Sequence, residues 1–248
     1  MRRKLIVLAS IIIIVALGSI VLFASSSNSL PLTSSSRIVI SFDDVGYGNS
    51  VWETAYPVME QYGFKGVAYC IVSKVNRADA ISSLKLLAVK GWEIGSHTMT
   101  HADLATLSAD KLLSEVLDSK IWLEDHIQTS VSSFAYPYSS YNPTVISLVA
   151  QYYKVARTNA WWAWQSTVWN NNSTYEIPSI AIANGNYAYN IPTAINMASA
   201  SGKTVVLLFH RVMLAGDGPS ITPERFAWCM KQISNSGIPV ATIEELTN

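Results

Sequence analysis

Asp43 and Asp44 stand side by side after an apolar, β-branched run, Ile38 to Ile40, and Gly46 and Gly48 follow them. The run reads as a buried strand and the glycines as its exit loop, so both acids sit at a strand tip. Neighbouring side chains on an extended strand point to opposite sides, which predicts different duties for the two acids. Two carboxylates this close repel when both are charged, and one pKa rises unless a cation lies beside them. A cation site is therefore expected, and the chain offers ligands for it. His97 and His101 follow the strand-like Trp92 to Ser96 and share a face if the segment turns helically. His210 closes a third apolar run, Thr204 to Phe209, whereas His126 has no such setting.

Two histidines and one carboxylate are a ligand set typical of hydrolytic zinc, with a fourth position left for water. Such an ion lowers the pKa of its water toward ~7 and polarises a carbonyl oxygen. A carboxylate that is not a ligand can take the water's proton, and a protonated histidine can give one to a leaving nitrogen. Asp44, His97 and His101 as ligands, Asp43 as base and His210 as acid fill these roles, and the reaction is hydrolysis of an amide or ester. Singly, the acids would read as a solvated turn and the histidines as structural residues. Their joint occurrence at three strand ends favours the chemical reading.

The elements that must position them alternate. Strand-like runs at Gly66 to Val72, Trp92 to Ser96, Ser133 to Tyr136, Lys154 to Arg157, Glu176 to Ile182, Thr204 to Phe209 and Pro239 to Thr242 are separated by helical patterns. Helices are expected over Val51 to Tyr62, Ala78 to Lys90, a long segment capped by Ser108, from Pro143 through Val149, Pro192 to Ala200 and Thr222 to Ser236. The long helix carries Leu112, Leu113, Val116, Leu117, Ile121 and Leu123 as its apolar stripe. Continuous apolar strands alternating with helices indicate a parallel sheet covered on both sides. About seven such units make a barrel somewhat smaller than the eight-fold one, whose chemistry gathers at the C-terminal ends of its strands. The expected fold is α/β, a distorted (β/α)7-type barrel with an N-terminal transmembrane helix.

That helix is read from Arg2, Arg3 and Lys4 followed by an uncharged run from Leu5 to Ala24. The run is long enough to span a bilayer, with its basic end in the cytoplasm and the rest outside. A signal peptide cut near Ala24 is the alternative, and would release the protein. Residues 1–24 are thus assigned to the anchor, the Ser-rich 25–36 to a linker and 37–248 to a catalytic domain. Three of the 17 basic residues precede the apolar run, so the exported part is slightly acidic and has no basic patch, which argues against nucleic acid. Cys70 and Cys229 are too few for a disulfide framework, and either two buried thiols or one bridge fits.

Four motifs stand in a telling order: Ser41-Phe-Asp-Asp44, Ser96-His-Thr-Met-Thr-His101, Phe134-Ala-Tyr-Pro-Tyr138 and Leu207-Leu-Phe-His210. Together they resemble the polysaccharide deacetylase family, metal-dependent carbohydrate esterases that include chitooligosaccharide and peptidoglycan deacetylases. The resemblance runs from about Ser36 to Leu246. It implies a distorted barrel, one divalent metal (zinc usually; cobalt, nickel or manganese otherwise) and an acetylated glycan as substrate. By motif it makes Asp43 the base, Asp44, His97 and His101 the metal ligands and His210 the acid. The backbone N–H of Tyr138, after Pro137, would help to stabilise the oxyanion. The pattern also departs from the family's. Val45 stands where the family has glycine, Ala135 replaces the arginine that partners the base, and the later Asp-Trp element has no clear match. Arg157 is a candidate substitute for the arginine, with a surface role the alternative. Trp161, Trp162 and Trp164 could stack on sugars or pack over the barrel.

Overall fold

The structure, a computed structural model, describes residues 35–159, 168–169, 174–214 and 219–247. The apolar run from Leu5 to Ala24, the linker up to residue 34, and Trp161, Trp162 and Trp164 lie outside the described residues. Among the described residues no helix is long and apolar enough to cross a membrane.

Strand β1 (Arg37–Val45) is buried along nearly its whole length. It lies parallel between β2 (Val67–Cys70) and β8 (Thr204–Phe209), with Phe42 opposite Ala68 on one side and Phe209 on the other. Being flanked and covered on both faces is why Ile38, Val39, Ile40 and Phe42 form one apolar run rather than an alternating one. From β2 the sheet continues in parallel through β3 (Glu93–Ser96), β4 (Ser133–Ala135) and β5 (Val155–Arg157). Beyond β8 the order becomes irregular. Strand β7 (Ser179–Ala181) joins β8 in parallel, while the two-residue β6 (Val168–Trp169) pairs antiparallel with the start of β8. Ile177, just before β7, bridges back to Arg157. The result is an α/β half-barrel of parallel strands.

Helices α3 (Ala78–Val89), α6 (Pro143–Tyr152), α7 (Tyr187–Ser201) and α8 (Pro223–Ser236) supply much of the outer layer. One apolar core fills the space between sheet and helices. A smaller one, with Val39, Val67, Tyr69, Val155, Val206 and Ile243, fills the inside of the curve.

Three expectations need correction. The expected long helix is α4 (Ala109–Leu113), a π-helical stretch Ser114–Asp118 and α5 (Ser119–Ile127) in succession. Wider π turns shift the phase of the stripe, so Leu112, Val116 and Leu123 are buried while Leu113 and Ile121 are exposed. Ser108 holds the N-cap position of α4 but makes no side-chain capping bond. Helix α7 starts at Tyr187, not at Pro192, which lies inside it. Pro192 has no N–H to donate to the carbonyl four residues before it, so that rung of the helix is missing. The expected last strand is reduced to a bridge between Ile38 and Val240. Cys70 and Cys229 are both buried free thiols, and burial pushes both thiol pKa values up, that of Cys229 to about 12.

Candidate active site

The site is assembled where β1, β3, β4 and β8 end. Strand β1 is irregular between Phe42 and Val45, and Asp44 has a left-handed backbone (φ 56°). That bulge turns the second acid back toward the first. Both carboxylates consequently reach one imidazole: His97 Nε2 lies 4.0 Å from Asp43 Oδ2 and 3.7 Å from Asp44 Oδ1. The pleat rule of opposite sides therefore fails here. Gly46 makes the exit turn at φ 119°, where an added Cβ would come within 2.5 Å of Lys74 Cβ.

His97 and His101 converge without a helix. The chain between them turns through positive φ at Thr98 and His101, both at 70°, and Thr98 Oγ1 accepts a hydrogen bond from the His101 N–H (2.9 Å). The two rings end 4.8 Å apart between centroids. Glu115 secures this turn from the helical layer, accepting from Thr100 N (2.9 Å) and Thr100 Oγ1 (2.5 Å). His97 Nδ1 lies 2.7 Å from the Ala135 carbonyl. A carbonyl only accepts, so Nδ1 carries the proton and Nε2 turns its lone pair toward the acids. Among the described residues six non-glycine positions have positive φ, and five of them (Asp44, Thr98, His101, Tyr138, Ser139) belong to this site. Backbone strain concentrated at one place is characteristic of functional sites.

Asp44, His97 and His101 form a group whose ligand atoms lie within 4.8 Å of one another. His101 Nε2 is 3.2 Å from Asp44 Oδ1, and that buried oxygen has no hydrogen-bond partner. Ligand atoms on a tetrahedral ion with bonds of about 2 Å lie roughly 3.3 Å apart, so the separations suit one. Two imidazole nitrogens and an otherwise orphaned carboxylate oxygen, close together, fit a divalent cation in chemistry as well as in size.

Asp43 is arranged differently. Its Oδ1 accepts from Arg157 Nη2, and Arg157 is itself buried, with Nη1 3.1 Å from Ser179 Oγ. Burial alone would push the Asp43 carboxyl up, but the Arg157 guanidinium, with His97 and His210, holds it below the ordinary value. The sequence left Arg157 between a partner for Asp43 and a surface residue; in the structure it is buried and bonded to Asp43. Ala135 and Arg157 are register neighbours on β4 and β5, so the arginine enters from one strand further along. Burial lowers the pKa of His97, with Asp43 opposing, and that of His210, with Asp43 and Asp44 opposing.

A cavity of about 830 Å³ opens above these groups, lined by Asp43, Asp44, His97, His101 and His210 among others. Tyr138 also lines it, largely exposed, with its ring 4.6 Å from that of His101. Pro137 opens the short 3₁₀ turn that carries Tyr138. Glu115 and Ser179 were not foreseen as site residues. Glu115 sits within an apolar stripe, and its charge at that place was the one available sign.

The sequence model of the family described as polysaccharide deacetylase matches residues 32–155, half of the chain. The chain belongs to that family. Among curated polysaccharide deacetylase relatives is YxkH of Bacillus subtilis, whose name places it there, 31% identical over 107 residues. That alignment covers 42% of this chain and 38% of YxkH. A gellan lyase from a Bacillus species is 35% identical over 106 residues, which cover 42% of this chain and 4% of the lyase. The chain thus spans well under half the length of either relative. Two solved structures share the fold. Peptidoglycan deacetylase PdaC from Bacillus subtilis has a TM-score of 0.59 at 16% identity, covering 86% of this chain and 90% of its own. BA3943 from Bacillus anthracis, described as a CE4 family pseudoenzyme, has a TM-score of 0.62 at 15% identity, covering 87% and 66%.

Proposed function

We propose that this chain is a metal-dependent hydrolase that removes N-acetyl groups from amino-sugar polymers or glycans at the cell exterior. One observation carries the reading: three inward-facing ligand atoms and a separately paired carboxylate share one open cavity. Asp44, His97 and His101 would hold the ion, zinc in this reading, with cobalt, nickel or manganese as alternatives. When bound, the ion supplies Lewis acidity to the acyl oxygen and to a water. Asp43 takes that water's proton; its bond to Arg157 keeps it ionised and its second oxygen free. His210, which lines the same cavity, gives a proton to the leaving nitrogen. Tyr138 contributes its backbone N–H to the developing oxyanion, and Pro137 fixes the turn that presents it. Trp161 and Trp162 are assigned to sugar contacts. The cavity's size is that of a small-molecule or sugar site. Its rim of Tyr136, Tyr138, Asn159 and Asn186 offers rings and amides rather than charge, which suits an uncharged acetylated sugar.

The same reading takes the fold as a distorted (β/α)7 barrel, residues 37–248 as the catalytic domain, 25–36 as a linker and 1–24 as a membrane anchor. The test combines metal analysis with acetate release from acetylated chitooligosaccharides. Metal-loaded protein should release acetate, and Asp43→Asn should keep the metal and lose about 10²–10⁴-fold in kcat. Glycan binding with metal bound and no acetate released would instead identify a silent relative. The arginine missing at position 135 favours that alternative in the sequence; the Asp43–Arg157 pair argues against it.

A further inference from the structure

Arg157 is held on three sides. Nη2 donates to Asp43, Nη1 to Ser179, and the guanidinium carbon lies 5.0 Å from the centre of the Tyr69 ring. Its Nε has no hydrogen-bond partner. Tyr69 is completely buried on β2, and its hydroxyl makes no hydrogen bond of ordinary geometry, although the Ser133 hydroxyl is close enough to oppose the upward push of burial on the phenol. The ring occupies space that β3 has cleared for it. At Gly95 an added Cβ would come within 2.5 Å of both Tyr69 Cδ1 and Cε1, a contact that real side chains do not make. On β4, the small buried Ala135 is the register neighbour of Arg157.

We propose that Tyr69 is a positioning residue for the reaction: its ring, admitted by Gly95, is the platform that aims the Arg157 guanidinium at Asp43. The inference rests on the reading of Asp43 as base and Arg157 as its partner. A cation over an aromatic face is attracted by the ring's negative quadrupole, and desolvation strengthens that attraction. Burial also pushes the Tyr69 phenol up, so the ring stays neutral and keeps its quadrupole. An arginine entering from β5 has a long, flexible stem. The flat face removes rotamers that would carry the guanidinium away from Asp43. Gly95, Tyr69, Ala135 and Arg157 then form one device spread over four adjacent strands, none of them a metal ligand.

The test places phenylalanine and progressively fluorinated phenylalanines at position 69, which keeps shape and volume while draining the ring's negative face. Each is made with Arg157 intact and with Arg157→Met. Acetate release, metal content and urea unfolding are measured for all. Tyr69→Phe should stay within about twofold of the parent in kcat. Fluorination should then lower kcat stepwise, to about tenfold overall, with KM and metal content unchanged. In the Arg157→Met background the same series should be flat to within twofold. A series that falls equally in both backgrounds, or is flat in both, overturns the proposal. If Arg157→Met itself leaves kcat at the parent value, the failure belongs to the assignment of Arg157 instead. Should no glycan be turned over, the unfolding constants still decide. The fluorinated series should lose about threefold or more in stability constant with Arg157 present and nothing with methionine there; equal losses reject the platform.

Discussion

From β1 to β4 the chain lays strand beside strand in sequence order, and β1, β3 and β4 end in groups that face the cavity: Asp43 and Asp44, His97 and His101, Tyr138. From β5 to β8 the order breaks. Strand β6 runs antiparallel, β7 and β6 share one edge of β8, and β8 returns to pair with β1. The two halves make different contributions. All three groups of the candidate metal cluster come from the first, whereas Arg157, Ser179 and His210, which surround Asp43, come from the second. Asp43 stands at the seam, on the strand that touches both. On the proposed function, holding an ion and using it would be separable properties of this wall, each removable alone.

The largest effect tests the first half. Asp44→Ala removes the sole carboxylate of the ligand group, and metal and activity should disappear together. Equilibrium dialysis against zinc would show it; a variant that keeps stoichiometric metal contradicts the ligand assignment. Next is Arg157→Met, from the second half. It strands the buried Asp43 carboxylate, so stability should fall by about 3–5 kcal/mol. Turnover should drop roughly 10- to 100-fold with the metal still bound. Loss of metal on this substitution would show that the halves are not independent.

How much of this was legible in the sequence follows the same division. Asp43, Asp44, His97 and His101 could be read because their types and local spacing state the chemistry. What could not be read was the backbone that joins them. The bulge at Asp44 and the positive φ at Thr98 and His101 defeat both the pleat rule and the helical reading of the histidine pair. Those conformations are held by tertiary partners such as Glu115, whose charge within an apolar stripe marks it as unusual but does not say what it bonds. Arg157 could be named but not placed, since its reach to Asp43 depends on the register of β4 against β5 and on the strand curvature. Seven parallel strands could be counted from apolar runs. The two-residue β6 could not, for it has too few residues to carry a period.

A smaller effect sharpens the picture of the first half. Glu115 accepts two hydrogen bonds from Thr100, in the turn between the two histidines. Glu115→Ala should loosen that turn and weaken metal affinity by roughly tenfold, while kcat at saturating metal stays close to the parent value. Chelator competition gives the affinity. An unchanged dissociation constant would mean that the turn is held by Thr98 alone.

A last effect lies at the other end of the half-barrel interior, far in function from either half's chemistry. Glu93 opens β3, is almost wholly buried, and uses Oε2 to accept from the Glu244 N–H (2.8 Å), which ties down the C-terminal turn. Its Oε1 has no partner, and no cation is paired with it. Burial therefore raises its pKa to about 7, with the Ser133 hydroxyl and the backbone N–H of Glu244 pulling the other way. A raised carboxyl pKa means that the folded chain binds a proton which the unfolded chain has already released. The associated stability is fully present below about pH 4.5 and is lost as pH rises through 7. That slope is worth roughly 3 kcal/mol across the window at most. Glu93→Gln keeps an acceptor for Glu244 but cannot ionise, so its stability should be level between pH 5 and 8 while the parent's declines. Urea unfolding at the two pH values measures the difference. Parallel profiles would mean that folded Glu93 releases its proton where the unfolded chain does, and the floor of the half-barrel would then be as wet as its mouth.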